Sequence, residues 1–230
     1  MAAAPNGFSK ATVKFLSELE QNNNRDWFNA NKDRYESLVR EPARHFIRTM
    51  APTLARLSTH FTADDRKVGG SLMRVYRDTR FGKDKTPYKT NVGIQFRHAV
   101  GRDVHAPGFY VHLEPKRAFL GAGVWRPDST ALYRIRAMVD EEQAQWKKVV
   151  GAKAFNSTFS LGGESLKTAP KGFAKDHPLI EDLRRKDFIA IADVPVSVLT
   201  ANNAVGEVAK RFRTASRYVE FICHALDLDF

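Results

Sequence analysis

Cysteine is nearly absent from this chain of 230 residues, since Cys223 is the only one. A single cysteine excludes a disulfide within the chain and a metal site built from several of its cysteines. Long apolar runs are also missing, and none approaches the roughly 20 residues that span a bilayer. The start, Met1–Gly7, lacks the apolar segment of a secretory signal. We therefore expect a cytoplasmic protein that does not insert into a membrane.

Motifs that bind nucleotides or supply a catalytic nucleophile are absent as well. No Gly-x-Gly-x-x-Gly fingerprint, phosphate-binding loop or Gly-x-Ser-x-Gly turn occurs. The histidines show no spacing typical of a metal site, such as His-Glu-x-x-His. We predict no metal site, and the sequence assigns no cofactor.

Basic residues outnumber acidic ones, with 37 Lys and Arg against 26 Asp and Glu and a formal net charge of +11. Such a charge attracts phosphates, nucleic acids and anionic surfaces, although many basic proteins bind none of them specifically. Apolar residues make up 43% of the chain and include 16 Phe, which is enough for a core. The length favours one domain over residues 8–230, preceded by a flexible tail over residues 1–7.

Apolar spacing predicts helices at both ends of the chain. Residues 8–60 are expected to be helical, with Asn24 as the N-cap of a helix from Arg25 to Val39. A further helix begins at Glu41-Pro42, and Pro52 is expected to kink or divide it. The C-terminal helix has the clearest pattern. Its apolar seam consists of Val205, Val208, Phe212, Ala215, Val219, Ile222 and Leu226.

Strict alternation of apolar and polar residues predicts β-strands in the middle of the chain. It covers Asn91–His98 and Gly108–Glu114, and Arg117–Val124 is a further strand. Ser71–Arg77 is predicted as a strand of less regular pattern, and Asp187–Val194 as the last one. Because the early strands follow one another without intervening helices, we predict an antiparallel meander. The expected fold class is α+β, with an N-terminal helical region, a long C-terminal helix, and helices packed on one face of the sheet.

The segment Arg74–Lys89 concentrates basic and aromatic residues. Arginine forks match phosphate and carboxylate oxygens, lysines add charge, and aromatic rings offer stacking surfaces. We therefore predict an anion-binding site here, on loops held by a sheet. The predicted ligand-binding residues of the segment are Arg74, Tyr76, Arg77, Asp78, Arg80, Lys83, Lys85, Tyr88 and Lys89. The alternative is a solvated hairpin whose charges pair internally, Asp78 with Arg80 and Asp84 with Lys83 or Lys85.

Strand parity adds a second group of candidates. Tyr110, His112 and Glu114 alternate on one face of their strand, so His112 and Glu114 are candidate acid–base residues. Tyr110 and Arg97 are predicted to bind ligand beside them. The alternative is the ordinary hydrated face of an antiparallel sheet.

The run Arg77-Asp78-Thr79-Arg80-Phe81-Gly82-Lys83-Asp84-Lys85-Thr86-Pro87-Tyr88-Lys89 closely resembles the signature of the DUF2461 family of conserved hypothetical proteins. Further stretches agree with the family in order, namely Asn24–Phe28, Gly108–His112, Gly121–Trp125, Leu166–Gly172 and Asp176-His177-Pro178. The family usually has serine where this chain has Gly82, which speaks against a serine nucleophile there. The resemblance implies one domain over nearly the whole chain, and it implies no activity, cofactor or catalytic residue.

Three functions are compatible with these observations. The first is binding of, and catalysis on, a phosphorylated or otherwise anionic small molecule or nucleotide. The second is a nucleic-acid-binding module, which the net charge and interleaved aromatics favour. The third is a structural or protein-interaction domain without catalysis. The sequence leaves open whether the chain is an enzyme and which oligomeric state it adopts.

Overall fold

Helices form most of the first quarter of the chain and about half of its second half. The structure is a computed structural model that describes residues 5–80, 84–101 and 105–230. The N-terminal helices are α1 (Lys10–Gln21), α2 (Arg25–Ala30), α3 (Lys32–Tyr35) and α4 (Glu41–Leu57), with a π-helical turn over Glu36–Arg40. The later helices are α5 (Ser129–Glu141), α6 (Gln143–Val150), α7 (Lys153–Asn156), α8 (Ile180–Leu183), α9 (Val196–Leu199) and α10 (Ala204–Ala225).

Asparagine side chains decide where the early helices begin and end. As predicted, Asn24 caps α2, and its side-chain oxygen accepts a hydrogen bond from Trp27 N at 2.9 Å. The predicted continuous helix to Val39 is wrong, because α2 ends at Ala30. There the Asn31 side-chain amide donates to the Trp27 carbonyl at 2.9 Å, and such bonds compete with the regular helical pattern.

Pro52 does not divide the helix that contains it. α4 runs from Glu41 to Leu57 with Pro42 in its first turn and Pro52 in its interior. An interior proline removes one backbone hydrogen bond and costs about 3 kcal/mol. Packing offsets this cost. The apolar face of α4 is fully or almost fully buried, and it consists of Ala43, Phe46, Ile47, Met50 and Leu54.

The sheet has five antiparallel strands in the order β1-β2-β3-β5-β4. The strands are β1 (Val92–Arg97), β2 (Gly108–Leu113), β3 (Ala118–Val124), β4 (Ser160–Gly162) and β5 (Phe188–Val194). The first three form the predicted meander, and β5 joins β3 after the helices α5 to α8. The short strand β4 pairs with the far side of β5. The α+β fold class is confirmed.

One face of the sheet carries the core. Ile94, Val111 and Leu120 point to this face and are fully buried. The long C-terminal helix α10 packs across it through Phe212, whose ring centroid lies 4.8 Å from that of Phe109. The predicted apolar seam of α10 is buried from Val205 to Ile222. The opposite face, which we call the outer face, therefore presents every second residue of the strands away from the core.

Ser71–Arg77 is extended but does not form the predicted strand. Its backbone runs antiparallel to Pro87–Gln95 and makes only isolated bridges, Leu72 to Ile94 and Tyr76 to Tyr88. Between the two bridges lie three residues of the first segment (73–75) and five of the second (89–93). This excess of two residues is a bulge, and it interrupts the ladder of hydrogen bonds that a strand requires.

Both ends of the described chain are attached to the body of the protein. Asn6 N donates to the Asn202 carbonyl at 3.0 Å, and the Asn6 side chain accepts from Val205 N at 3.0 Å. Residues 1–4 of the predicted tail lie outside the described residues. At the other end, His98 Nε2 lies 3.0 Å from the Asp229 carbonyl. None of the helices in the described ranges has the length and apolarity to cross a membrane.

Candidate functional site

The strand register brings two rows of side chains together on the outer face. In one row Gln95, Tyr110, Gly121 and Ile191 are successive neighbours across β1, β2, β3 and β5. In the next row the neighbours are Gly93, His112, Phe119 and Asp193. Tyr110 and His112 thus lie in the middle of the sheet and are flanked by glycine. An interior glycine in a strand often marks a close approach to the backbone.

Beside Tyr110 the outer face has a concave site of about 350 Å³, which we call the outer groove. It is lined by Met73, Gln95, Gly108, Phe109, Tyr110, Phe119, Gly121, Ala122, Gly123, Trp125, Ile189 and Ile191. At Gly123, where φ is +111°, a Cβ would lie 2.1 Å from the Phe188 carbonyl oxygen. Only glycine fits this position. The lining is largely apolar, and the volume lies in the range of small-molecule sites.

A line of hydrogen bonds, which we call the relay, runs along β2 on the outer face. The Tyr110 hydroxyl lies 2.9 Å from His112 Nδ1, and His112 Nε2 lies 2.8 Å from Glu114 Oε1. A carboxylate only accepts, so Nε2 carries the proton and Nδ1 accepts from the phenol. The Asn91 side-chain amide lies 3.5 Å from the same Nδ1. The pattern is that of a histidine oriented by an acid and bonded to a hydroxyl.

Packing holds the His112 ring in place. The ring stacks on Phe119 with centroids 4.3 Å apart and an interplanar angle of 17°, and the Arg117 guanidinium lies 4.8 Å from the centre of Phe119. The His112 side chain is 12% exposed, whereas that of Glu114 is 41% exposed. Burial lowers the pKa of His112, and the hydrogen bond to Glu114 acts in the opposite direction. His112 is therefore a neutral proton acceptor at neutral pH.

The Tyr110 phenol is also held in its protonated form. Burial, and then the charge of Glu114, raise the pKa of Tyr110 far above its ordinary value. The phenolate is therefore disfavoured at neutral pH. Tyr110 can pass a proton only in concert with a neighbour that accepts it, and His112 is in position to do so.

The basic segment is largely occupied by its own ion pairs and hydrogen bonds. Arg80 binds Asp78 through Nη2 at 2.8 Å, and Arg77 binds Asp84. Hydrogen bonds from Arg80 lower the pKa of Asp78, and hydrogen bonds from Thr86 and then from Arg77 lower the pKa of Asp84. Lys85 Nζ donates to the Thr79 carbonyl at 2.8 Å rather than to Asp84. Lys83 lies outside the described residues, as do Phe81 and Gly82.

The two tyrosines of the segment join an aromatic stack on the N-terminal helices. The ring centroid of Tyr88 lies 4.0 Å from the ring centroid of Phe28 and 5.6 Å from that of Tyr76. Tyr88 is buried, and its backbone N and O both bind the Asn23 side chain. Tyr76 remains 54% exposed. Tyr88 therefore attaches the segment to α2, and Tyr76 presents a ring to solvent.

Three further predicted residues have different surroundings. Arg97 Nη2 donates to the Gly69 carbonyl at 2.8 Å and so fastens the loop before Ser71. Arg74 is exposed and Lys89 is half-buried. Within the described residues, neither Arg74 nor Lys89 has a side-chain hydrogen bond or an ion pair. The charge of Arg74 nevertheless acts on Asp78, where it adds to the lowering of the carboxyl pKa that Arg80 causes.

The structure brings Tyr110, His112 and Glu114 together, and it places the basic segment beside them through Met73. Sequence reasoning did not identify Gly93, Gly121 or Gly123 as part of the site. Their signal was present, because glycines recur on alternate residues of strands with the parity of Tyr110. The described residues contain no group of three or more His, Cys, Asp or Glu side chains that would hold a metal ion.

Comparison with protein families agrees with the resemblance seen in the signature run. A family of conserved hypothetical proteins, DUF2461, matches residues 11–221 of the chain. The chain belongs to the DUF2461 family. In this DUF2461 protein the match spans the sheet, the relay and the outer groove. No curated protein matches the chain.

Proposed function

We propose that this DUF2461 protein binds a small organic molecule in the outer groove and exchanges a proton with it through Tyr110. The observation that carries the proposal is the unbroken line of hydrogen bonds from Glu114 through His112 to Tyr110. Tyr110, the last residue of this line, is part of the groove lining. Acid–base groups of this kind contribute typically 10²- to 10⁴-fold to a reaction rate.

The proposed proton transfer moves each proton by one position. The substrate gives a proton to Tyr110 Oη while the phenolic proton passes to His112 Nδ1. The resulting imidazolium keeps its Nε2 proton, which remains hydrogen-bonded to Glu114. The negative charge of Glu114 stabilises the imidazolium. Because both transfers occur together, no free phenolate forms, in agreement with the raised pKa of Tyr110. The reverse sequence returns a proton to the product.

The lining of the groove restricts the ligand. Ile189, Ile191 and Phe119 offer apolar surface, and Trp125 stands at the edge with 44% of its surface exposed. Sites of this volume bury most of a small molecule, with a few polar groups that fix its orientation. We therefore expect an apolar or planar body in the groove and a polar reacting group beside Tyr110.

The first experiment tests binding and proton transfer separately. A panel of small aromatic acids, amides and alcohols is screened by NMR against labelled protein. We expect hits to perturb the amides of Gly121 and Gly123 and the indole of Trp125, which all line the groove. Each hit is then incubated in D₂O with the protein, and exchange of its C–H protons for deuterium is followed.

Substitutions identify the group that transfers the proton. Tyr110→Phe removes the hydroxyl and His112→Gln removes its acceptor, so both should lower the exchange rate at least about tenfold. Tyr133→Phe is the matched control, because Tyr133 is an exposed tyrosine on α5 outside the groove. Unchanged exchange in Tyr110→Phe, or hits that perturb only residues outside the groove, would disprove the proposal.

A further inference from the structure

The indole of Trp125 stands at one end of the outer groove. Trp125 lines the groove, yet 44% of its surface is exposed, whereas Trp146 is fully buried in the core. Within the part of the chain that the structure describes, Trp125 does not belong to the hydrophobic core cluster or pack against it. Its ring is a large, flat apolar surface that a bound molecule can cover.

Two side chains hold the indole in place. The imidazole of His105 is stacked on it, with ring centroids 5.8 Å apart and an interplanar angle of 12°. His105 Nδ1 also lies 3.1 Å from the Trp125 carbonyl oxygen, which only accepts, so Nδ1 donates. The Arg126 guanidinium lies 4.8 Å from the centre of the indole, as a cation–π contact. Neither His105 nor Arg126, both of which the structure describes, is part of the groove lining, so the indole keeps surface for a ligand.

The backbone of Arg126 is strained. It lies in the left-handed region, with φ of +47°. Few residues other than glycine adopt this conformation, because the Cβ atom crowds the backbone there. Asp187 holds it, since the Oδ1 atom of this buried carboxylate accepts from Arg126 N at 2.8 Å. Strained residues persist only where their surroundings fix them, and they cluster at ligand sites. Here the strain falls at the residue whose guanidinium lies on the indole.

The strand register gives the separation of this ring from the relay. Tyr110 pairs with Gly121, and Trp125 follows Gly121 by four residues. At about 3.3 Å per residue, four residues of extended chain span about 13 Å. Gly121 and Gly123 line the groove between the two ends, where no side chain of theirs divides it. A ligand that contacts both Trp125 and Tyr110 is therefore elongated.

We infer that the outer groove takes an elongated aromatic compound, whose planar ring stacks on Trp125 while its polar reacting group lies at Tyr110. The inference rests on the proposed function and names its substrate class. Trp125 determines specificity, because a planar ring stacks on the flat indole and a puckered saturated ring does not. The contacts of His105 and Arg126 fix the indole before the ligand arrives, so less freedom is lost on binding.

Two alcohols of equal chain length, phenylbutanol and cyclohexylbutanol, separate stacking from simple apolar burial. Each carries its ring and its hydroxyl at opposite ends, and both affinities are measured by NMR titration of labelled protein. The ratio of the affinity for phenylbutanol to that for cyclohexylbutanol should fall at least about threefold in Trp125→Leu. Trp125→Phe should restore most of the ratio. Tyr133→Leu is the matched control, because it removes an exposed aromatic ring outside the groove and should leave the ratio unchanged.

The orientation of the ligand is tested in the same samples. Nuclear Overhauser contacts should join the phenyl protons to the Trp125 indole and the protons beside the hydroxyl to the Tyr110 ring. The reverse pattern would overturn the inference, as would a ratio that Trp125→Leu leaves unchanged while both alcohols perturb the amides of Gly121 and Gly123. In either case binding in the groove stands.

The remaining outcomes separate the inference from the proposed function. If neither alcohol perturbs the groove amides, binding in the groove is disproved, and the inference falls with it. If the ratio depends on Trp125 but Tyr110→Phe leaves proton exchange unchanged, the stacking site is confirmed and the proposed proton transfer fails.

Discussion

The Tyr110 hydroxyl lies directly over Gly93, where an added Cβ would be only 2.6 Å from Oη. The same Cβ would be 3.1 Å from the Met73 sulfur, so the position is closed on both sides. Glycine at position 93 therefore lets the tyrosine reach His112 across the face of β1.

Gly93→Ala should displace the Tyr110 hydroxyl and break its bond to His112. A displacement of about 1 Å costs a catalytic site up to a hundredfold, so proton exchange with a bound probe should fall about tenfold to a hundredfold. The imidazole ¹⁵N shifts of His112 report the lost bond directly. Gly206→Ala is the control, because Gly206 lies on α10 and the three atoms nearest to its added Cβ all belong to the Asn203 side chain. An unchanged Nδ1 shift in Gly93→Ala would contradict the arrangement.

His112 should make stability depend on pH. Its pKa in the folded protein is below the ordinary value of about 6.5, so the unfolded chain binds more protons in this window. The free energy of unfolding should therefore fall as the pH is lowered from about 7 through the folded-state pKa of His112. Urea unfolding at several pH values, compared with His112→Gln, measures this contribution. A constant difference between the two proteins across the window would show that His112 does not titrate in this way.

Asp187 should be important for the stability of the sheet edge. It is buried, and its two carboxylate oxygens accept from Arg126 N at 2.8 Å and Glu164 N at 2.9 Å. Asp187→Ala leaves these donors without a partner, which should cost about 1–3 kcal/mol of unfolding free energy. Asp187→Asn keeps one acceptor and should cost less. Equal stability of Asp187→Ala and the wild type in urea would contradict the assignment.

Arg77 and Arg80 should contribute little to stability. Their carboxylate partners are exposed, and exposed ion pairs are weak because water and salt screen them. The double variant Arg77→Ala/Arg80→Ala should therefore melt close to the wild type. Differential scanning calorimetry at two salt concentrations checks this. A loss as large as that of Asp187→Ala would favour the hypothesis that the basic segment has a purely structural role.

Local patterns predicted the elements whose stability depends on burial of one face. The apolar spacing in α10 and the alternation in β1, β2 and β3 show which face of each element is buried. An element with a different period would turn apolar side chains toward solvent. The Asn24 cap was predictable for a different reason. Its hydrogen bond joins two residues only three positions apart, so it depends on local sequence alone. Cys223, on α10, is buried as well, and burial raises the pKa of its thiol to about 12.

Tertiary structure decided what local patterns do not contain. The sequence by itself determined the α+β class, the parity that places Tyr110, His112 and Glu114 on one face, and the abundance of cations between Arg74 and Lys89. Which cation pairs with which acid was decided by folding, because Arg77 binds Asp84 across the hairpin, whereas Lys85 donates to the Thr79 carbonyl. The outer groove likewise arose only when separate strands aligned their glycines. Pairing between strands and between distant charges depends on register, and register is set by the packed whole rather than by neighbours in sequence.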